Sequence, residues 1–155
     1  MKLSCVSASY VNDLAGYPGP IDWVQAGETI RRAPLLETLE GMLDRLAPAR
    51  LDGIELWFPH IWPTKITPAL ANEVLGRLAA RGMVCCACAG GLGNPEDDPY
   101  GCKELFQTAR LLGATLIASH MDARAVPALG QMAARFGVQV AYENGHDSSF
   151  DHNRR

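Results

Sequence analysis

The chain has 155 residues, 48% hydrophobic and 20% charged, with a formal net charge of -3 and a pI near 5.8. That length suits one domain with a sizeable core. The mild acidity, with Lys and Arg gathered only in pairs such as Arg31-Arg32 and Arg154-Arg155, argues against a nucleic-acid partner and for a small molecule or a protein. Five cysteines without a secretory leader predict free thiols in a reducing compartment, and no segment reaches membrane-spanning length, so the expected location is cytoplasmic with no membrane partner.

Leu3 to Ser9 is a run of β-compatible and small residues that predicts a first strand. Tyr10 to Ala33 carries Gly16, Pro18, Gly19, Pro20 and Gly27 and predicts a long loop. Unstructured loops longer than about 15 residues are unusual in compact domains, which makes this one a candidate lid or substrate-contacting segment, the alternative being a short helix around Trp23. Pro34 sits where helix starts favour proline, and Leu35, Leu39, Met42, Leu43 and Leu46 then recur at helical spacing until Pro48. Gly53 to Phe58 predicts the second strand, with Ile54 and Leu56 on one face and Glu55 and Trp57 on the other.

Thr67 as N-cap, Pro68 at the first helical position, Leu70, Val74, Leu75 and Leu78, and Gly82 past the end mark the next helix. Met83 to Cys88 follows as a strand that opens into Gly90-Gly91-Leu92-Gly93. Asp98 and Pro99 start a helix running through Leu112 to Gly113. Thr115 to Ser119 is the fourth strand, finishing at His120. Asp122 caps a helix with Val126, Leu129, Ala133 and Phe136 on one face, and Val138 to Tyr142 is the fifth strand, ending in Glu143, Asn144, Gly145 and His146. Four helices alternating with five short apolar runs predict a parallel α/β sheet with right-handed crossovers.

In such a sheet the residues just past the strand ends share one rim, and His60, His120, Glu143 and His146 all fall there. Imidazoles and a carboxylate suit zinc or manganese and also proton transfer near neutral pH. Glu55, inside a strand, either orients a ligand from behind or is a core acid with a partner, because a buried charge needs one. Cys85-x-x-Cys88 has redox or zinc spacing, but residues three apart in a strand face opposite sides, so the thiols are expected to diverge. The glycine loop lacks a full phosphate fingerprint and precedes Glu96-Asp97-Asp98, which would repel an anion, so it reads as a turn. Trp57, Phe58 and Trp62 flank His60 and either stack on a sugar face or pack on the rim.

Three segments in this order, Asp52-Gly53-Ile54-Glu55-Leu56-Trp57, Leu112 to His120, and Ala141-Tyr142-Glu143-Asn144, resemble the xylose-isomerase-like TIM-barrel superfamily, which includes sugar phosphate isomerases, epimerases and the barrel apurinic endonucleases. The resemblance runs from Leu3 to about His146. It implies a (β/α)8 barrel with a divalent metal (Mn, Mg, Co or Zn) at its carboxyl face. Glu143 would be the first carboxylate ligand and a proton carrier between adjacent sugar carbons. His120 matches a site position that is a zinc ligand in the endonuclease branch, His146 is a further candidate ligand, and His60 matches loosely. Glu55, Trp57, His60, Trp62 and Asn144 are the expected substrate contacts.

A full barrel takes about 250 residues, so the expectation here is a partial TIM barrel of about five strands and four helices over residues 1–146, with a polar tail over 147–155. The remaining family ligands come from strands six to eight, beyond this stretch. The expected activity is isomerisation or epimerisation of a sugar or sugar phosphate, the alternatives being an inactive barrel fragment serving as a binding or assembly module, and, third, an endonuclease. An unclosed barrel exposes strand edges and predicts a homo-oligomer or a companion chain. An open flavodoxin-type sheet, which needs no partner, is the competing architecture.

Overall fold

The structure, a computed structural model, describes residues 2–12 and 21–143. The strands are β1 (Ser4–Val6), β2 (Gly53–Trp57), β3 (Val84–Ala89), β4 (Leu116–Ser119) and β5 (Gln139–Tyr142). The helices are α1 (Trp23–Arg32), α2 (Leu35–Leu46), α3 (Pro68–Ala79), α4 (Pro99–Leu111) and α5 (Val126–Phe136). All strands pair in parallel in the order β1-β2-β3-β4-β5. A flavodoxin-type sheet would place β1 between β2 and β3, so the sequential order rules that alternative out. What remains is an open parallel α/β sheet with alternating helices, the wall of a partial TIM barrel.

The expected punctuation is realised in detail. Thr67 Oγ1 accepts from the Leu70 amide at 3.2 Å and Asp98 Oδ1 from the Gly101 amide at 2.9 Å. Gly82, Gly113 and Gly137 follow the helices at φ of 69°, 70° and 64°, a left-handed turn that glycine takes without steric cost. Ile54 and Leu56 of β2 are fully buried against Leu43, Val74 and Leu78 of the helices. Asp122 departs from expectation: its carboxylate accepts from the Arg124 amide at 2.9 Å and caps a single 3-10 turn, Ala123–Ala125, that leads into α5.

Two further departures are corrections. Residues 10–33 were expected as a loop, with a short helix around Trp23 as the alternative, and the helices numbered four; the alternative holds, since α1 is a fifth helix among the described residues, and the first strand gives way at once to a 3-10 turn, Ser7–Tyr10. Asp22 caps α1, its Oδ1 accepting from the Val24 and Gln25 amides at 3.0 Å each. Gly27 masks the helix in the sequence because glycine is a poor interior helix former. α1 nevertheless forms and seats on the turn after β2, where a β-carbon added at Gly27 would stand 3.5 Å from Pro59 Cγ, in ordinary contact. Tertiary contact outweighs propensity.

The second correction concerns the cysteines. β3 pairs Cys85 with Ile54 but Ala87 with Glu55, so a β-bulge inserts Cys86 and resets the alternation. Cys85 and Cys88, registered with Ile54 and Leu56, therefore face the helices together, 4% and 0% exposed. The divergence expected of an unbulged strand does not occur. The neighbouring Cys85 thiol, together with burial, holds the Cys88 thiol well above its ordinary range, which keeps it protonated.

The bulge leads to a turn at Gly90, whose φ is 139° and whose amide donates to the Ala118 carbonyl at 3.0 Å. A β-carbon there would meet Phe58 Cδ2 at 3.0 Å. We expect Gly90→Ala to destabilise the fold by about 2 kcal/mol, through a disallowed φ and displacement of Phe58. Equilibrium urea unfolding checks this; an unchanged midpoint would contradict the turn.

Candidate functional site

Because partners in a parallel ladder point to the same side, the register defines the face opposite the helices. Val6 and Ala87 flank Glu55, Ala89 lies beside Trp57, Ala118 beside Ala89, and Ala141 beside Ala118. Closed barrels usually fill this interior with large branched side chains. Here a run of alanines leaves space above the sheet for Glu55 and Trp57. No described residue gives Glu55 a hydrogen bond or ion pair, so the picture of a core acid satisfied by a partner is not met. Burial, and then the Glu143 carboxylate, push the Glu55 carboxyl above its ordinary range.

The tips of β4 and β5 carry the second group. Ser119 is fully buried; its hydroxyl accepts from the Leu92 amide and donates to the His120 carbonyl, both at 2.8 Å. The Glu143 amide donates to the Ser119 carbonyl at 2.9 Å, extending the ladder to the rim. His120 then meets Glu143 twice: Nδ1 lies 3.2 Å from its backbone oxygen and Nε2 lies 3.4 Å from its Oε2. A carbonyl only accepts, so Nδ1 carries the hydrogen in that bond. In the neutral ring the Nε2 lone pair is left facing a carboxylate, an arrangement that a cation between the two would satisfy. A carbonyl-anchored Nδ1–H with a free Nε2 is also how metal-binding histidines are oriented.

The third group was half hidden in the sequence. His60 is 7% exposed in a 3-10 turn, Phe58–Ile61, after β2. Its Nδ1 lies 3.1 Å from Ser7 Oγ, which also accepts from the Trp57 amide at 2.8 Å. Trp57 stands edge-on both to His60, at 5.8 Å between ring centroids, and to Trp23 of α1, at 5.7 Å. Trp23 is 51% exposed, an apolar surface beside the face that holds Glu55. Sequence reasoning passed over both Ser7 and Trp23. The readable signal for Trp23 was Asp22 one residue ahead of it, a helix cap; nothing local marked Ser7.

The structure thus brings Glu143 and His120 into contact, couples Glu55 to Glu143 electrostatically, and joins Trp57 to His60. Trp62 stands apart: the Arg31 guanidinium covers its ring at 3.4 Å, and Lys65 ties that end of α1 down by donating to the Arg31 carbonyl. Phe58 is a core residue, 2% exposed. Asn144 and His146 lie outside the described residues. Among the described residues no three His, Cys, Asp or Glu side chains group closely enough to hold a metal ion. A hollow of about 670 Å³ beside α4, lined by Pro63, Ile66, Thr108 and Phe136 among others, contains none of the candidate residues, and the rim chemistry lies elsewhere.

No family model matches the chain, and no curated protein is similar to it. Among solved structures it is similar to a xylose isomerase domain protein from Planctomyces limnophilus, with a TM-score of 0.59 at 20% identity over 72% of this chain and 51% of that one. It is also similar to an uncharacterised protein from Parabacteroides distasonis, with a TM-score of 0.55 at 17% identity over 77% of this chain and 51% of that one. The chain therefore shares the fold of part of these two structures, a partial TIM barrel, and spans about half the length of each. No helix among the described residues is long and apolar enough to cross a membrane.

Burial pushes the His60 imidazole down to about 4 from an ordinary value of 6.5. Between these values the unfolded chain takes up a proton that the folded one refuses, so stability is complete above pH 6.5 and is lost as pH falls towards 4. Over that window the loss amounts to roughly 3 kcal/mol. We expect His60→Leu to remove this slope from a series of denaturant titrations against pH; a variant with the wild-type slope would place the proton uptake elsewhere.

Proposed function

We propose that the chain carries the first half of the active site of a metal-dependent isomerase or epimerase acting on a sugar or sugar phosphate. The observation behind this reading is the His120–Glu143 pair, one imidazole nitrogen and one carboxylate oxygen 3.4 Å apart with the other ring nitrogen anchored on a carbonyl. The donor chemistry suits Mn, Mg, Co or Zn, with His120 Nε2 and Glu143 as two ligands and His146 as a candidate third. When bound, such a cation polarises substrate oxygens and stabilises the negative charge left when a proton departs from the neighbouring carbon. The printed name of the Planctomyces limnophilus protein supports the same class.

In this reading Glu143 takes the proton from the carbon next to a carbonyl and returns it to the adjacent carbon on the same face, while epimerisation would call on a second proton donor on the opposite face, outside the residues described. His120 orients the Glu143 carboxylate through its two contacts. Glu55 accepts from substrate hydroxyls, and Trp57 offers its ring to the apolar face of the sugar. No nucleic-acid or membrane partner enters, and the reading places the chain in the cytoplasm. We expect Glu143→Gln to lower turnover of a responsive sugar by at least about 100-fold and chelation by EDTA to abolish it. If the purified chain binds none of the four metals and Glu143→Gln turns over like the wild type, the isomerase reading fails.

A second reading is favoured by one observation: the described sheet is open, with β1 and β5 as unpaired edges and Leu3 and Tyr142 exposed along them. Such edges invite association. The chain would then act as a binding or assembly module, as a homo-oligomer or with a companion chain that continues the barrel. Sedimentation velocity over a concentration series should show mass action; a monomer at every concentration would count against it.

A further inference from the structure

Where the chain returns from α2, α3, α4 and α5 to the next strand, each turn holds one residue in the left-handed region. After α3, α4 and α5 that residue is Gly82, Gly113 and Gly137, and a β-carbon added at any of the three would meet nothing within 4 Å. Glycine stands there for its φ alone. After α2 the place falls to Arg50, whose φ of 50° makes it the one left-handed residue other than glycine among the described residues. A side chain in that conformation carries a steric penalty, so an arginine there points to a use for its side chain.

No partner inside the fold accounts for it: among the described residues the Arg50 guanidinium has no hydrogen bond, ion pair or ring contact. It lines a hollow of about 430 Å³ at the amino ends of β2 and β3, where α2 and α3 finish. Leu46, Leu51 and Met83 give the hollow an apolar lining. Arg81 lines it too, but its guanidinium is taken by Glu40 and Asp44. Asp52 is half taken. Its Oδ2 accepts from the Leu3 amide at 2.8 Å, and its Oδ1 has no partner among the described residues. Arg50 and Asp52 form no ion pair with each other, although only Leu51 separates them in sequence. One hollow thus presents a guanidinium and a carboxylate oxygen, both unengaged, beside an apolar lining.

We propose that this hollow binds a free α-amino acid with an apolar side chain. The ligand carboxylate takes the Arg50 guanidinium, whose planar fork matches two carboxylate oxygens. The ligand ammonium donates to Asp52 Oδ1, and the ends of α2 and α3, negative by their dipoles, favour a cation at the same place. The ligand side chain lies on Leu46, Leu51 and Met83. Small-molecule pockets run from roughly 300 to 1,000 Å³, so the hollow has the room. Arg50 and Asp52 are exposed, and no part of the fold has to move to admit the ligand. The site lies at the opposite end of the strands from His120 and Glu143 and owes nothing to the isomerase reading.

Isothermal titration calorimetry of the full chain at neutral pH tests this with three probes: L-leucine, isocaproate, which lacks the ammonium, and isoamylamine, which lacks the carboxylate. We expect leucine to bind and each half-ligand to bind at least about tenfold more weakly, since each forfeits one charge-assisted hydrogen bond. Arg50→Gly keeps the turn, because glycine takes the left-handed φ freely, and its urea midpoint should equal or exceed that of the wild type. That variant should lose at least about tenfold in affinity for leucine and isocaproate and none for isoamylamine. Asp52→Asn, whose amide oxygen still accepts from Leu3, should weaken leucine and isoamylamine and spare isocaproate. A chain that leucine does not bind overturns the proposal. So does a half-ligand that binds as tightly as leucine, or an Arg50→Gly variant that binds leucine like the wild type.

Discussion

Everything described above depends on the common direction of the strands. Parallel ladders in the order β1 to β5 send every carboxyl tip to one rim, so Ser7 meets His60 and His120 meets Glu143 without local signals to gather them. The alternation of β2 then divides the labour. Ile54 and Leu56 are fully buried against the helices and hold the strand in place, which leaves the opposite face to Glu55 and to Trp57, the latter packed against the small core of α1. The alanines registered beside them, Ala87, Ala89, Ala118 and Ala141, keep that face low. A barrel wall lined with leucines would have buried the same two side chains and erased the site.

The electrostatics of that face are unbalanced in a way that points outward. Burial and the Glu143 carboxylate raise the Glu55 carboxyl, and neither Glu55 nor Glu143 has an Arg or Lys partner among the described residues, whereas the helix side is well paired: Glu40 bonds Arg77 and Arg81, and Arg81 reaches Asp44 at 2.8 Å. There the Arg77 and Arg81 guanidiniums outweigh burial and hold the Glu40 carboxyl below its ordinary range. The described carboxylates are thus matched with guanidiniums on the helix side and left without them on the opposite face, where His120 Nε2 is the nitrogen nearest Glu143 Oε2 at 3.4 Å.

Much of the frame was legible in the sequence, and the reasons are physical. Thr67, Asp98, Gly82, Gly113 and Gly137 are local devices that act through backbone geometry, so α3, α4 and the strand starts fell within a residue or two of expectation. The inward placement of Glu55 followed from a period of two. What failed was set by tertiary contact. α1 contains a glycine that local propensity disfavours and is held by packing on the turn after β2, and the pairing of Cys85 with Cys88 on one face depends on a bulge in the register with β2. The likeness in fold to xylose-isomerase-like barrels was visible in three short motifs, yet the Ser7–His60 contact spans 53 positions and has no motif to announce it.

The distribution of unsatisfied groups separates site from scaffold more sharply than any of these features alone. Ser119, fully buried, spends its hydroxyl fully, accepting from Leu92 and donating to the His120 carbonyl, and so acts as a fastener between the β3 and β4 tips. Ser7 is equally buried, but it bonds a ring whose far nitrogen has no partner among the described residues. A fold that satisfies one buried serine completely and leaves the chain from the other one step short is not loosely packed there, since Trp57 and α1 close over the turn. Glu55 lies within β2 and His60 in the turn that follows it, and the side chains on the opposite face of that strand, Ile54 and Leu56, are fully buried. That packing fixes the strand, and with it the places of both groups.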